Sequence, residues 1–213
     1  MMKKECLEIV EKKCQSCKSC ALGATRTNLV FSDGNPETAR IVLIGEAPGE
    51  TEDLEGKPFV GRAGQLLDEF LAEAGISRQD DLYVINTVKC RPPENRVPTD
   101  LEKACCSKFL KAQIDIIKPQ AIVLCGATAL KSFVELDKKT TISKVRGQWM
   151  TISVDGVDYR AITIFHPSYL LRNHSMEEGS PRRLMQQDLA EIKNQILSDR
   201  NWMNCSQPQM AGV

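Results

Sequence analysis

The sequence predicts an α/β fold of three layers, with helices on both sides of a central, mostly parallel sheet of four strands. Three observations carry that prediction. Short apolar runs rich in Val and Ile, such as "RIVLIG" (40–45) and "QAIVLCG" (120–126), end in glycine, as strands buried on both faces do. Between them lie stretches with apolar residues three and four apart, the spacing of an amphipathic helix. The two kinds alternate along 213 residues with no internal repeat and no low-complexity block, which points to one domain built on a parallel sheet.

Each element follows from its own residues. "MMKKECLEIVEKKC" reads as a short amphipathic helix and lacks the long apolar core of an export signal. It opens an arm over 1–35, appended to a single domain over 1–200. "RIVLIG" is the first strand. "RAGQLLDEFLAEAG" (62–75) has apolar residues at 63, 66, 67, 70, 71 and 74 and a glycine stop, so it is a helix. "DLYVINTVKC" (81–90) is the second strand. After "RPPENRVPT", Thr99 caps a helix over "DLEKACCSKFLKAQIDIIK", with Glu102 as its reciprocal partner and Pro119 as its end. "QAIVLCG" is the third strand and "ATALKSFVEL" a short helix. "WMTISVDGVDYRAITIF" (149–165) is a hairpin turning at Asp155-Gly156. "SPRRLMQQDLAEIKNQILSD" (180–199) is the last helix, and 201–213 form a loose tail.

Composition narrows the function. Hydrophobic residues make up 42% and charged residues 26%, with formal net charge zero. That balance is ordinary for a globular protein, and nucleic-acid binding would need a local basic patch. No run approaches the roughly 18 apolar residues of a membrane span, so the cytoplasm is the expected setting. Nine cysteines are many, and the number is odd. In a reducing compartment, metal ligation and simple burial are the alternatives. Cys14, Cys17 and Cys20 form overlapping C-x-x-C pairs, but no second pair completes a zinc ribbon. Three loops follow strand ends: "GEAPGE" (45–50), "NTVKCRPPENR" and "HPSYLLRN" (166–173). Open α/β sheets place their ligand crevice there.

The stretches "GEAPGETEDLEGKPFVGRAGQLL", "INTVKCRPPENRVP" and "FHPSYLLRN" together resemble the iron–sulfur uracil-DNA glycosylases, family 4 of that superfamily. The resemblance runs from about Cys17 to Leu197. It implies hydrolysis of the bond joining uracil to deoxyribose in DNA, the first step of base-excision repair, by a monomer acting on single- or double-stranded DNA. It also implies a [4Fe–4S] cluster held by Cys17 and Cys20, in "CKSCALGATRT", with Cys90 and Cys106. Cys106 is preferred to Cys105 because it lies sixteen residues beyond Cys90. The cluster would bind the N-terminal arm to the loop after the second strand.

The same resemblance assigns roles in the site. His166 donates to uracil O2 as charge develops there. Asn86 reads O4 and N3–H, its amide orientation set by backbone groups at the strand end. Phe59 stacks on the flipped base, and Gly45 and Ala47 allow the backbone to come close. Glu46 lies beside the oxocarbenium sugar and is the candidate partner of the water. Family 1 enzymes carry aspartate where Ala47 stands, and family 5 enzymes an apolar residue where Glu46 stands. Glu52, as a solvated carboxylate, refuses the methyl group of thymine. Leu170 is the wedge that displaces the base, and Arg172 holds a phosphate. Arg62, Lys89, Arg91 and Arg96 supply the basic patch. The relatives that trap their product covalently carry a histidine-containing insertion, absent from "RPPENRVP". The rival reading is a non-catalytic iron–sulfur α/β module that binds nucleic acid or nucleotides.

Overall fold

The computed structural model describes residues 2–137 and 140–198, so the tail over 201–213 lies outside the described residues. The elements in chain order are α1 (Lys3–Gln15), α2 (Leu22–Thr25), β1 (Ile41–Gly45), α3 (Glu50–Glu55), α4 (Arg62–Glu73), β2 (Leu82–Asn86), α5 (Asp100–Ile117) and β3 (Ala121–Cys125). They continue with α6 (Ala127–Lys131), α7 (Ile142–Val145), β4 (Trp149–Val154), β5 (Val157–Ile164), α8 (Pro167–Leu170) and α9 (Pro181–Ile192).

The sheet has five strands in the order β2-β1-β3-β5-β4, one more than the four predicted. β1, β2, β3 and β5 are parallel. The fifth strand is the first arm of the hairpin, which pairs antiparallel with β5 from Trp149↔Ile162 to Val154↔Val157. Its turn is Asp155 and Gly156, both left-handed at φ 49° and 83°. Two such residues match the right-handed twist of the flanking strands, so β4 continues the sheet along its outer edge.

Alternation along the strands sorts the core into two layers. Ile41 and Leu43 of β1 join Val84 of β2, Leu67 and Phe70 of α4, and Leu189 of α9 on one face. Val42 and Ile44 join Tyr83 and Ile85, Leu7 of α1, and Ile114 and Ile117 of α5 on the other. The cap predicted for α5 forms: Glu102 N–H donates to Thr99 Oγ1 at 3.2 Å, and Thr99 N–H donates to Glu102 Oε2 at 2.8 Å. Among the described residues, no helix is long and apolar enough to cross a membrane.

α3 was not foreseen. "GEAPGE" reads as a turn, but Glu50 onward is helical, because Gly49 at the helix start and Gly56 at φ 71° let so short a segment begin and end.

Candidate active site

Parallel strands bring their carboxyl ends to one edge. Gly45 of β1 and Asn86 of β2 are direct register partners there, and β5 leads into His166. Between them lies a cleft of about 430 Å³ lined by Glu46, Ala47, Glu52, Phe59, Asn86 and His166 among others. The structure therefore gathers the predicted site residues of three loops into one place. Pro92, Asn95 and Arg96 of the loop before α5 form part of the same wall.

Gly45 sits where no side chain fits. A Cβ there would lie 2.4 Å from Asn86 Oδ1 and 2.4 Å from Phe59 Cζ. Its absence lets the carboxamide and the ring converge over bare backbone. Asn86 is only 2% exposed, and no described residue hydrogen-bonds its carboxamide. Thus the backbone groups expected to orient that amide do not do so. Its own carbonyl oxygen accepts from Lys89 Nζ at 2.8 Å. The carboxamide lines the cleft, so its unused donors and acceptor are open to a guest and suit a flat polar ring.

His166 caps the N-terminus of α8. Its Nδ1 accepts from Ser168 N–H at 3.2 Å and lies 2.8 Å from Ser168 Oγ. A nitrogen that accepts from a backbone N–H carries no proton, so the neutral ring keeps its proton on Nε2. Burial holds the imidazole below its ordinary value, against an upward pull from the Glu46 and Glu52 carboxylates. Gly126, at φ 93°, backs the ring: a Cβ on it would lie 2.9 Å from His166 Cβ. The Phe59 and His166 ring centroids are 5.8 Å apart.

Glu46 accepts through Oε2 from the Thr128 hydroxyl of α6, and its backbone oxygen accepts from Thr87 Oγ1. The carboxylate is therefore held from α6 and its backbone from the loop after β2. Thr128, Thr87 and Ser168 were missed by sequence reasoning; single hydroxyls in a loop or in helices of four or five residues carry no periodic or spacing signal.

Several expectations need correction. Glu52 is not a freely solvated carboxylate. Its Oε1 accepts from Val60 and Gly61 N–H at 3.0 and 2.7 Å, and its Oε2 from Gly49 N–H at 3.1 Å. It lines the cleft while tying the start of α3 to the turn that carries Phe59. Leu170 is fully buried in the core beneath the sheet, because it closes the short helix α8 against α4. It is not presented as a wedge; its neighbour Tyr169 is 42% exposed. Arg172 is exposed beside it. Lys89 is fully buried and contributes nothing to a surface patch. Arg91 contacts Glu50 and Asn95, and Arg96 grips Glu102 with two nitrogens at 2.8 and 2.7 Å. Of the four residues expected to form the patch, Arg62 alone is exposed without a carboxylate partner among the described residues.

A second, smaller cavity of about 20 Å³ lies at the loop after β2, where Lys89 lines it and donates to Asn86 O. It is lined by Cys14, Cys17, Cys20, Cys90, Cys105 and Cys106, with Arg26 and Lys89. Arg26 Nη1 donates to Cys90 Sγ at 3.2 Å. Burial pushes the Cys90 and Cys106 thiols up, opposed by Arg26 at the first and Lys89 at the second. Burial brings the Lys89 ammonium down to about 8, against the upward pull of nearby cysteines. Among the described residues, no three His, Cys, Asp or Glu side chains close on a point suited to a single metal ion.

Comparison with known proteins agrees with this geometry. A model of the uracil DNA glycosylase superfamily matches residues 31–190. The chain is 50% identical over 198 residues to a type-4 uracil-DNA glycosylase of Thermotoga maritima, covering 91% of this chain and 96% of that one. It is 42% identical over 176 residues to the type-4 enzyme of Archaeoglobus fulgidus, covering 82% and 87%. With the type-4 enzyme of Sulfurisphaera tokodaii it shares 36% over 198 residues, covering 92% and 87%. By the superfamily match and these relatives together, the chain belongs to the uracil DNA glycosylase superfamily, in its type-4 family.

Proposed function

We propose that the chain hydrolyses the N-glycosidic bond of deoxyuridine in DNA, releasing free uracil and leaving an abasic site for base-excision repair. The observation that carries this reading is the buried, unpartnered carboxamide of Asn86 beside the neutral His166 in one cleft. Uracil presents an acceptor at O4, a donor at N3 and an acceptor at O2. Asn86 serves the first two through Nδ2 and Oδ1, and His166 Nε2–H the third. Phe59 covers the ring once the nucleotide has left the stack.

The bond from C1′ to N1 breaks with both electrons on the base. Negative charge grows on uracil, mostly at O2 and O4, as positive charge grows on the sugar. A neutral imidazole strengthens its hydrogen bond to O2 as that charge appears and keeps its own proton. Glu46, held by Thr128, faces the cationic sugar and accepts from the water that adds to C1′. The proton lost by that water balances the departing uracil anion. Glu52 supports the turn that carries Phe59, and crowding by that turn at C5 disfavours thymine. Arg172, exposed four residues beyond Ser168 of the cleft wall, holds a phosphate.

The cysteine-lined cavity is read as the seat of a [4Fe–4S] cluster held by Cys17, Cys20, Cys90 and Cys106. The donor set fits: four thiols from the arm, the loop after β2 and α5 face one space, lined also by the buried Lys89 and the half-buried Arg26. Buried cations favour thiolates over thiols. When bound, the cluster staples the arm to the strand end that carries Asn86, and hydrolysis draws no electrons from it. The protein is read as a monomer working in the cytoplasm, with uracil-containing DNA as its macromolecular partner. The rival reading, a non-catalytic module, is not favoured, since the relatives are themselves named as glycosylases. Release of labelled uracil from U:G, U:A and single-stranded oligonucleotides tests the activity. Binding of these DNAs without any uracil release would return the rival reading.

A further inference from the structure

The turn that carries Phe59 is held against its own backbone preference. Phe59 has φ 53°, a left-handed conformation that bulky side chains avoid, and it is buried. Such a residue persists only where its surroundings over-determine it. On its carboxyl side, Glu52 accepts from the N–H groups of Val60 and Gly61. Its carbonyl is the tightest point of the turn, for a Cβ on Gly64 would lie 1.9 Å from Phe59 O.

What holds the other side comes from nineteen residues away. Arg78, between α4 and β2, has a side chain only 12% exposed. Its Nη2 donates to Pro58 O at 2.5 Å and its Nη1 to Phe59 O at 3.1 Å. Nη1 also donates to Asp68 Oδ1 at 2.8 Å and Nε to Asp33 Oδ2 at 2.9 Å. One guanidinium thus meets four acceptors on three segments. The two carboxylates balance its charge and fix its plane, and the plane fixes the two carbonyls. A lysine ammonium is a single point with three donors and does not span that fork.

Asp33 carries the linkage further. Its backbone pairs with Val84 in β2, N–H to O at 3.0 Å and the reverse at 2.8 Å. Two residues on from Val84 stands Asn86. Arg78 therefore ties the ring of Phe59 to the strand that presents the carboxamide, through one side chain and one backbone bridge.

We propose that Arg78 is a positioning residue for base recognition, setting the height of the Phe59 ring over Gly45 so that a uracil fits between the ring and Asn86. The proposal rests on the reading of Phe59 as the ring that covers the base. It predicts an effect on how tightly uracil is held that vanishes when the ring is gone.

The test is a double-mutant cycle on the full chain, R78M against F59A, read by inhibition of excision by free uracil. Binding of uracil-free DNA and thermal stability are measured beside it. R78M should weaken uracil inhibition about tenfold, a fraction of what base stacking contributes, and raise KM more than it lowers kcat. Binding of uracil-free DNA should stay at the wild-type level. In the F59A background R78M should add no further loss, although it lowers thermal stability in both backgrounds. An equal loss with and without the ring, or wild-type inhibition in R78M, overturns the proposal. Should R78M fail to fold, D33N carries the same cycle with a smaller loss expected, and wild-type inhibition in D33N is the contrary result. If F59A itself keeps wild-type uracil inhibition, the reading of Phe59 falls, and with it this proposal.

Discussion

Two cavities share the end of β2, and they are finished in different ways. In the larger one, the protein satisfies its own polar groups. His166 Nδ1 is met by Ser168, Glu46 by Thr128, Glu52 by three backbone N–H groups, and the carbonyls beside Phe59 by Arg78. The carboxamide of Asn86 stands apart, with no partner among the described residues. In the smaller cavity, Lys89 is buried completely, and no carboxylate partner is found for it among the described residues; cysteines surround it and Asn86 O accepts from it. Arg78 and Lys89 make the contrast concrete. Arg78 is largely covered and meets two carboxylates and two carbonyls, while Lys89 is buried against thiols. A buried cation is tolerated when its counter-charge is close. The first cavity offers a free carboxamide and a neutral imidazole to a flat polar ligand, whereas in the second burial favours the protonated thiols of Cys90 and Cys106, opposed by Arg26 and Lys89.

The largest effect that would sharpen this contrast is at the fourth thiol. Cys106→Ala should abolish iron content and the brown colour of the purified protein, lower thermal stability more than any other variant named here, and remove activity with it. Cys105→Ala should retain all three. Loss of colour in the Cys105 variant alone reverses the ligand assignment. In the larger cavity, His166→Ala should keep its iron and its affinity for DNA. Its single-turnover rate should fall on the order of 100-fold, about 3 kcal/mol for one donor to a developing oxyanion. An unchanged rate removes His166 from the chemistry.

The smallest effect is in pH. Burial holds His166 below the ordinary value of 6.5, so the ring stays neutral in the folded protein at pH values where a free imidazole begins to charge. Single-turnover excision should be level from pH 8 down to about that ordinary value and decline only below it. Stability has the matching sign: the unfolded chain takes up the proton first, so this group's contribution is lost as pH falls through 6.5. His166→Ala should lack that component. A rate that already declines above pH 7 contradicts a neutral donor.

Much of this was legible before any coordinates. Strands bounded by Gly45 and Gly126 announced a parallel sheet, and Thr99 with Glu102 announced a cap, because these signals are local in sequence. The site residues at strand ends were legible for the same reason: topology brings them together once the strands are known. The count of strands failed at β4, whose pairing depends on how a hairpin meets the sheet edge. Leu170 and Lys89 failed because burial is a tertiary property; a leucine after a turn and a lysine before a cysteine look the same whether they point in or out. Glu52 failed similarly, since its three backbone partners span residues 49 to 61. Arg78 left no mark at all, as a lone arginine in a loop has no pattern.

The central claim is that the unpartnered carboxamide of Asn86 is what reads the base, and Asn86→Asp tests it most directly. Excision of uracil and of cytosine should be measured under single-turnover conditions on matched single-stranded oligonucleotides, where extrusion of the base costs least. Aspartate has no donor for uracil O4, and mismatching a buried polar pair costs roughly 1–3 kcal/mol, more when one member is charged. The variant should lose most uracil excision, on the order of 10- to 100-fold, and gain weak excision of cytosine, whose amino group it accepts from. Wild-type uracil excision in Asn86→Asp would contradict the account and remove the end of β2 from the base pocket.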